Sequence, residues 1–380
     1  LEEGHLPLTR SILSRDFKLI KAMGANTIRR YNQGVYDVNV LNIAEEYDLK
    51  VCYSIWFDPK TDFANDVEAV KEYQREAEEL VTKYKNKKSV LAWTLGGPVW
   101  NMLQENFRQP YLTEVRRAYL QQLEEMAKTL HRLDPHRPVI AVFDFTDELP
   151  AALLDLKTHA PSIDVIGLNV YKEQDLMAVP EIIDRFYPGK PYLFTEFGPQ
   201  PYAFDENNGY EYKEDTDFFK GRRYFWKWIK YIDARKETNL GGFAFCWSDK
   251  ADGVNTWFGL TDFKGRRKAS YYDLMRVWGG KKMAGSFPQI YIEGPEKGFI
   301  RGSKHEFDLK SLDGFGGFKH VDWYLCKEEK FKESGKIDVA EDRYSLLLKI
   351  PVDPGKYRLY AFLSDKNGNV VTASKAIYIK

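Results

Sequence analysis

Between residues 8 and 278, short runs of β-branched and aromatic residues alternate with longer segments in which apolar residues recur every three or four positions. The short runs have the length and composition of buried strands, and the longer segments are typical of amphipathic helices. Strands that alternate with helices in this way indicate repeated βα units around a parallel sheet. We therefore expect an α/β fold, specifically a (β/α)₈ or TIM barrel.

Seven strands are predicted in this region, and their last residues are Arg29, Trp56, Leu95, Phe143, Asn169, Glu196 and Trp247. Helices are expected between them, for example at 66–84 and 113–133. The segment 8–23 has the pattern of the helix that precedes the first of these strands. A closed barrel of this kind has eight strands. The eighth is expected either before Leu1 in a longer chain or as an unusual substitute.

After residue 278 the pattern changes. The segment GGKKMAGSFP (279–288) has the composition of a linker, and alternating strand patterns separated by turn residues such as KNGN (366–369) follow it. Five strands are predicted there, in the segments QIYIEG, VDWYLC, YSLLLKI, YRLYAFLS and KAIYIK. We therefore assign residues 1–278 to the barrel and 286–380 to an immunoglobulin-like β-sandwich, in which no residue indicates catalysis.

The composition argues against several classes of protein. Lys plus Arg equals Asp plus Glu at 56 each, so no net charge attracts nucleic acid or an anionic surface. No apolar stretch approaches the roughly 18 residues of a membrane span, and no signal peptide is evident. The cysteines Cys52, Cys246 and Cys326 are odd in number and far apart, which predicts buried thiols. We expect no disulfide framework, no metal and no cofactor.

The active site of a parallel barrel lies at the carboxyl ends of its strands. Glu196 is the strongest candidate there, because a carboxylate that ends an apolar strand has no evident structural role. Either Arg29 or Arg30, together with Tyr171 and Asn169, is expected nearby, where these groups favour the charged form of Glu196 and aim it at the anomeric carbon of a sugar. The alternative is a buried glutamate that pairs with Arg29 for stability alone.

Aromatic residues make up 15% of the chain, which suits the stacking of sugar rings as well as the packing of a large core. Trp56, Trp93 and Trp100 fall near the predicted mouth of the barrel, and Trp247 ends the last of the seven strands. We expect these indoles to contribute sugar-binding surfaces. For Trp93 in particular, ordinary core packing is an equal alternative.

Several segments resemble, in order and spacing, the retaining β-glycosidases, especially glycoside hydrolase family 2: GANTIRRYN, LAWTLG, DVIGLNVY, KPYLFTEFG, and GFAFCW followed by GLTDFKGRRKASYYDL. NTIR also resembles the β-1,3-glucanosyltransferases. The resemblance spans about residues 4–275. It implies that Glu196 is the nucleophile, that Arg29 hydrogen-bonds it, that Tyr171 is the family's sixth-strand tyrosine, and that Trp247 is the platform under the sugar.

The chain departs from the family at Gly97 and Pro98. Where the family has Trp, two residues, Gly, Asn and Glu, this chain reads WTLGGP (93–98). The resemblance therefore implies that both the Asn that holds the 2-hydroxyl and the acid/base Glu are absent. Loss of a general acid typically costs about 10²- to 10⁴-fold in rate, so ordinary retaining hydrolysis is expected to be impaired or lost.

Three carboxylates are candidates for the missing acid: Glu105, Asp144 and Glu148. Asp144 has the best position because it directly follows an apolar strand, whereas Glu105 lies in the loop after Pro98. The alternative for each is a solvated surface charge.

Three functions stay open. The first is a glycoside hydrolase or transglycosylase that acts on a β-linked glycan with an unconventional proton donor. The second is a polysaccharide-binding barrel without catalysis, associated with glycan synthesis or export, and the third is an interaction domain with a filled cleft. Because polymeric glycans are usually met outside the cytoplasm, we expect a periplasmic, secreted or membrane-anchored protein. An anchor or a further domain N-terminal to Leu1 is compatible with that location.

Overall fold

The computed structural model describes residues 8–200, 214–250, 255–281, 286–295, 299–329 and 332–379. Internal contacts divide the chain into two units. The first comprises the chain up to Phe197 together with Ile229–Phe243, and the second comprises Gly198–Trp228 together with Ala244–Lys380.

Seven parallel strands form a nearly closed barrel and follow one another in chain order. They are β1 Thr27–Arg30, β2 Lys50–Ile55, β3 Val90–Leu95, β4 Val139–Asp144, β5 Val165–Asn169, β6 Tyr192–Phe197 and β7 Asn239–Ala244. This arrangement confirms the predicted parallel barrel. Strand β7 ends three residues before Trp247, where the sequence pattern placed its end. The eighth strand expected around Leu1 lies outside the described residues.

Helices precede and connect these strands. Their bounds are α1 Arg10–Ala22, α2 Asp37–Glu46, α3 Val67–Tyr84, α4 Val99–Asn106, α5 Tyr111–Leu133, α6 Leu149–His159, α7 Glu173–Phe186, α8 Asp217–Lys227 and α9 Ala269–Trp278. A π-helical turn, Trp228–Ile232, and a 3₁₀ turn, Asp233–Arg235, follow α8. Side chains cap two of the helix starts, because Thr9 accepts from the Ile12 amide and Asp66 accepts from the Ala69 amide.

The inside of the barrel is apolar below its polar strand ends. Cys52, Ala92, Ile140, Val142, Val165 and Leu193 form one buried cluster, with Phe243 packed against it. Burial raises the pKa of the Cys52 thiol to about 12. Such packing keeps the strands rigid, so that residues at their carboxyl ends are held in fixed positions.

The second unit contains seven further strands: β8 Ile290–Glu293, β9 Lys304–Ser311, β10 His320–Glu329, β11 Lys332–Glu341, β12 Ser345–Lys349, β13 Gly355–Ser364 and β14 Val370–Ile379. Among the described residues they form two antiparallel sheets, ordered β11-β10-β13-β14 and β12-β9-β8. Phe307, Trp323 and Leu359 belong to their shared core. The predicted β-sandwich is confirmed, although β9 and β11 were not among the predicted strands. Its immunoglobulin-like topology stays a prediction.

Cys52, Cys246 and Cys326 are buried, as predicted. Among the described helices, none combines the length and the apolar character that crossing a membrane requires.

Helices α8 and α9 belong to the same unit as the C-terminal sheets, and buried charges join the two parts. The Lys268 ammonium lies 3.4 Å from Asp217 Oδ1 and 3.2 Å from Asp249 Oδ2, and all three side chains are at most 1% exposed. Asp217 Oδ2 also accepts from the backbone N–H and the hydroxyl of Thr372 on β14, at 2.7 and 2.9 Å. Residues on both sides of position 278 thus belong to one unit, and the domain boundary predicted there stays a prediction.

Replacing Lys268 by methionine should destabilise the second unit by about 3–5 kcal/mol, because Asp217 and Asp249 lose a buried counterion. Urea denaturation of the whole chain measures this change. Lys319→Met, at an exposed position of the same unit, is the control and should change the free energy of unfolding by no more than about 0.5 kcal/mol. Equal effects of the two substitutions would show that the buried cluster is not a stabilising element.

Candidate active site

The carboxylate of Glu196, on β6, is held by two donors from other strands. Arg29 Nη1, on β1, donates to Glu196 Oε1 at 3.2 Å. The Tyr171 hydroxyl, which follows β5, donates to Oε2 at 2.6 Å. The Arg29 side chain is 3% exposed, whereas that of Glu196 is 13% exposed. The arginine is thus a buried support, and the carboxylate remains reachable from solvent.

Adjacent residues of a strand point to opposite faces, and this separates the two arginines of β1. Arg30 donates from Nε to Asp37 Oδ1 on α2 at 3.1 Å. Arg29 points the other way, towards Glu196, and also donates to the Thr195 carbonyl at 3.2 Å. Its guanidinium carbon lies 4.4 Å from the centre of the Tyr31 ring.

A second carboxyl group lies at the same end of the barrel. Asp144, the last residue of β4, is in register with Asn169 on β5, which is in register with Glu196 on β6. Asn169 Nδ2 donates to Asp144 Oδ1 at 3.0 Å, and Asn101 Oδ1 accepts from the Asp144 amide at 2.9 Å. Strands two places apart put the Cα atoms of the two acids about 10 Å apart.

Burial is the main cause that raises the pKa of Asp144, to about 6. The charges of Glu196 and Glu105 raise it further, whereas the hydrogen bond from Asn169 and the charge of Arg29 lower it. A carboxyl group with such a pKa carries a proton at mildly acidic pH. It is therefore suited to give a proton to a departing oxygen.

The structure gives a physical reason for Gly97. A Cβ atom on this residue would lie 2.5 Å from Trp56 Cζ3, closer than real Cβ contacts allow. The partly exposed indole of Trp56 therefore occupies the space that an asparagine at position 97 would need. The next residue, Pro98, is the N-cap of α4 and has neither an acidic nor an amide side chain.

Trp93 and Trp100 are packed away from solvent. Trp93 is 0% exposed, and its indole N–H donates to Asp134 Oδ2 at 2.9 Å. Trp100 is 2% exposed, and the Arg116 guanidinium covers its ring at 3.6 Å. A buried indole offers no face to a sugar, so these placements match ordinary core packing.

Trp247 lies in the second unit, where it is partly buried and meets the Tyr271 ring edge to face at 6.3 Å between centroids. Its role as a sugar platform stays a prediction.

The other two candidate acids, Glu148 and Glu105, are less suited than Asp144 to give a proton to a departing oxygen. Glu148 binds the Arg116 guanidinium through both oxygens, at 3.1 and 2.9 Å, and this interaction lowers its pKa. Glu105 is exposed on α4 and takes no part in the row of Asp144, Asn169 and Glu196. Asp144 is therefore the acid that the geometry favours.

The sequence did not identify Thr195 or Asn101 as parts of the site. Thr195 Oγ1 donates to Asn169 Oδ1 at 2.9 Å, and Thr195 is 1% exposed. The sequence does show a hydroxyl residue within an apolar strand. Since a buried hydroxyl needs a hydrogen-bond partner, this position could have indicated a polar neighbour. Across the described ranges, no three His, Cys, Asp or Glu side chains are grouped so that they could hold a metal ion.

Residues 7–256 match the model of the TIM barrel domain of the glycosyl hydrolases family 2. Three solved structures illustrate the likeness of fold. β-Glucuronidase 2 of Bacteroides uniformis is 17% identical with a TM-score of 0.55, and the match covers 98% of this chain and 44% of that chain. An FMN-binding β-glucuronidase of Facaelibacterium prausnitzii is 18% identical with a TM-score of 0.55, and the match covers 98% of this chain and 53% of that chain. A β-galacturonidase of Eisenbergiella tayi is 17% identical with a TM-score of 0.54, and the match covers 73% of this chain and 48% of that chain. The chain thus spans about half the length of these proteins. No curated protein matches it.

Asp144→Asn should stabilise the protein at pH 8 by on the order of 2 kcal/mol and should not stabilise it at pH 4. The pKa of Asp144 is about 6 in the folded protein, above its ordinary value of 3.8, so the folded state binds more protons between these values. The stability that protonation provides is present at pH 4 and is lost as the pH rises through 6, and the neutral amide avoids that loss.

Urea denaturation at the two pH values measures the difference between the variant and the wild type. Asp147→Asn, at an exposed position nearby, is the control and should show no such pH dependence. A stabilisation by Asp144→Asn that is equal at pH 4 and pH 8 would contradict a raised pKa at Asp144.

Proposed function

The chain belongs to glycosyl hydrolase family 2, and on that premise we propose that its barrel acts on a β-linked glycoside, with Glu196 as the nucleophile and Asp144 as the proton donor. One observation carries this proposal. The solvent-accessible Glu196 carboxylate has each of its oxygens held by a donor, Arg29 or Tyr171, as an attacking group requires.

The reaction that we propose has two steps. In the first step Glu196 attacks the anomeric carbon while Asp144 gives its proton to the departing glycosidic oxygen. The bond between that oxygen and the anomeric carbon breaks, and the sugar stays attached to Glu196 as a covalent glycosyl-enzyme. The Asp144 carboxylate then takes a proton from water or from a sugar hydroxyl, and the resulting oxygen nucleophile displaces Glu196. Water as the acceptor gives hydrolysis, and a sugar gives transglycosylation.

The buried guanidinium of Arg29 supports both steps. Its charge faces Glu196 in a position with little solvent, where electrostatic interactions are stronger than in water. Arg29 also lowers the pKa of Asp144, against the larger effect of burial. The two acids are therefore in different environments: Glu196 receives two hydrogen bonds, and Asp144 is partly buried beside the Asn169 amide. Such a difference separates the roles of nucleophile and acid.

Proteins of similar fold include a β-glucuronidase, a β-galacturonidase and a protein described as a β-galactosidase. We propose a substrate from the same broad class, a β-linked hexoside or hexuronide, as the end unit or an internal unit of a larger glycan. Trp56, partly exposed beside Gly97, is the aromatic surface that we propose for the sugar.

Glu196→Gln should abolish turnover of 4-nitrophenyl and methyl β-glycosides alike. Asp144→Asn should lower kcat/KM about 10²- to 10⁴-fold for methyl glycosides and much less for 4-nitrophenyl glycosides, because 4-nitrophenolate departs without a proton. Product release from glucuronides, galacturonides, galactosides and glucosides measures both effects, and Asp147→Asn is the matched control. Equal losses by Asp144→Asn on the two leaving groups would remove Asp144 as the acid.

A polysaccharide-binding barrel without catalysis is the second candidate. The observation that favours it is the Trp56 indole in the space above Gly97, where the usual asparagine is absent. Saturable binding of oligosaccharides without any product in the same assays, for the wild type as well as for Glu196→Gln, would favour this candidate over the enzyme.

A further inference from the structure

A buried hydroxyl beside Glu196 takes no part in holding the Glu196 carboxylate. Thr195 Oγ1 instead donates to Asn169 Oδ1 at 2.9 Å, and Asn169 Nδ2 in turn donates to Asp144 Oδ1 at 3.0 Å. We propose that Thr195 is a positioning residue that fixes which end of the Asn169 amide faces Asp144. This inference rests on the proposed function, because it concerns the proton donor named there.

The Asn169 amide has two orientations with nearly the same shape. In the observed one its N–H faces Asp144, which stabilises the carboxylate form of that acid. In the reversed one its oxygen would face Asp144 and would accept a proton only from the carboxylic acid form. The reversed amide would therefore hold the Asp144 proton back from the substrate.

The Thr195 hydroxyl selects the observed orientation. Thr195 is 1% exposed, so its hydroxyl does not have bulk water as an alternative hydrogen-bond acceptor. Within the part of the chain that the structure describes, its side-chain partner is Asn169 Oδ1. Reversal of the amide would turn its N–H towards this hydroxyl, so that the hydroxyl proton would lose Asn169 Oδ1 as its acceptor, which is costly in a buried position.

A glycine on the neighbouring strand, Gly167, leaves space for the Thr195 side chain. A Cβ atom on Gly167, in β5, would lie 2.6 Å from Thr195 Cγ2 and 3.1 Å from a methyl carbon of both Ile140 and Val142. The Thr195 methyl thus lies over the missing side chain of Gly167. Because a β-branched side chain has few χ1 choices, fixing the methyl also fixes the direction of the hydroxyl.

The other charged groups that act on Asp144 do not depend on this hydroxyl. They are Glu196 on β6, Arg29 on β1 and Glu105 on α4. Arg29 does contact Thr195, but through the backbone carbonyl, which every substitution retains. A change in the titration of Asp144 after removal of the hydroxyl therefore reports on the Asn169 amide.

Thr195→Val should raise the pKa of Asp144 by about one pH unit, because the amide becomes free to turn its oxygen towards the protonated acid. The measurement is a pH titration of the whole chain with ¹³C at the aspartate carboxyl carbons, in which Asp144→Asn identifies the signal. Thr195→Ser, which keeps the hydroxyl, should titrate like the wild type.

Unchanged titration of Asp144 in a folded Thr195→Val protein would overturn the proposal, as would an equal shift in Thr195→Ser. Should the valine variant not fold, Thr195→Ala removes the same hydroxyl without an added methyl and is judged by the same outcomes. The titration needs no turnover. An inactive barrel with the expected shift refutes the proposed catalysis alone, and an active barrel without the shift refutes the positioning role alone.

Discussion

The ion pair between Arg29 and Glu196 is the constraint around which the rest of the site is arranged. It joins β1 to β6, and its two residues are 167 positions apart in the chain. The arginine side chain is almost fully buried. A buried guanidinium without an anion is strongly unfavourable, so the carboxylate has to lie where the barrel brings the two strand ends together. The Tyr171 hydroxyl then fixes the second oxygen of the same carboxylate.

The position of Asp144 follows from the same strand ends. Register across β4, β5 and β6 places its side chain beside Asn169 and within the field of Glu196 and Arg29. Burial and the neighbouring anion favour its protonated form, while the amide and the guanidinium favour its charged form. The balance leaves the pKa of Asp144 above its ordinary value, at about 6.

The barrel strands were predictable because β-branched runs bounded by helices have few other interpretations. The meeting of Arg29 and Glu196 was also predictable, since parallel strands end on the same face. The direction of a large side chain was not: Trp93 points towards Asp134, 41 residues away, and no local pattern reports that contact. Strand β9 was missed because charged residues alternate with Phe307 and Leu309, which hides its apolar face.

The measurement that tests the central claim most directly is covalent trapping at Glu196. A 2-deoxy-2-fluoro-β-glycosyl fluoride needs no proton donor for departure of its fluoride, so the test does not depend on which residue is the acid. We expect at least one of the glucuronide, galacturonide, galactoside and glucoside reagents to raise the mass of the wild-type protein by one 2-deoxy-2-fluoroglycosyl group. That group should be located on Glu196, and the Glu196→Gln variant should be unlabelled. Failure of all four to label the wild type, while oligosaccharides still bind to it, would contradict Glu196 as a nucleophile.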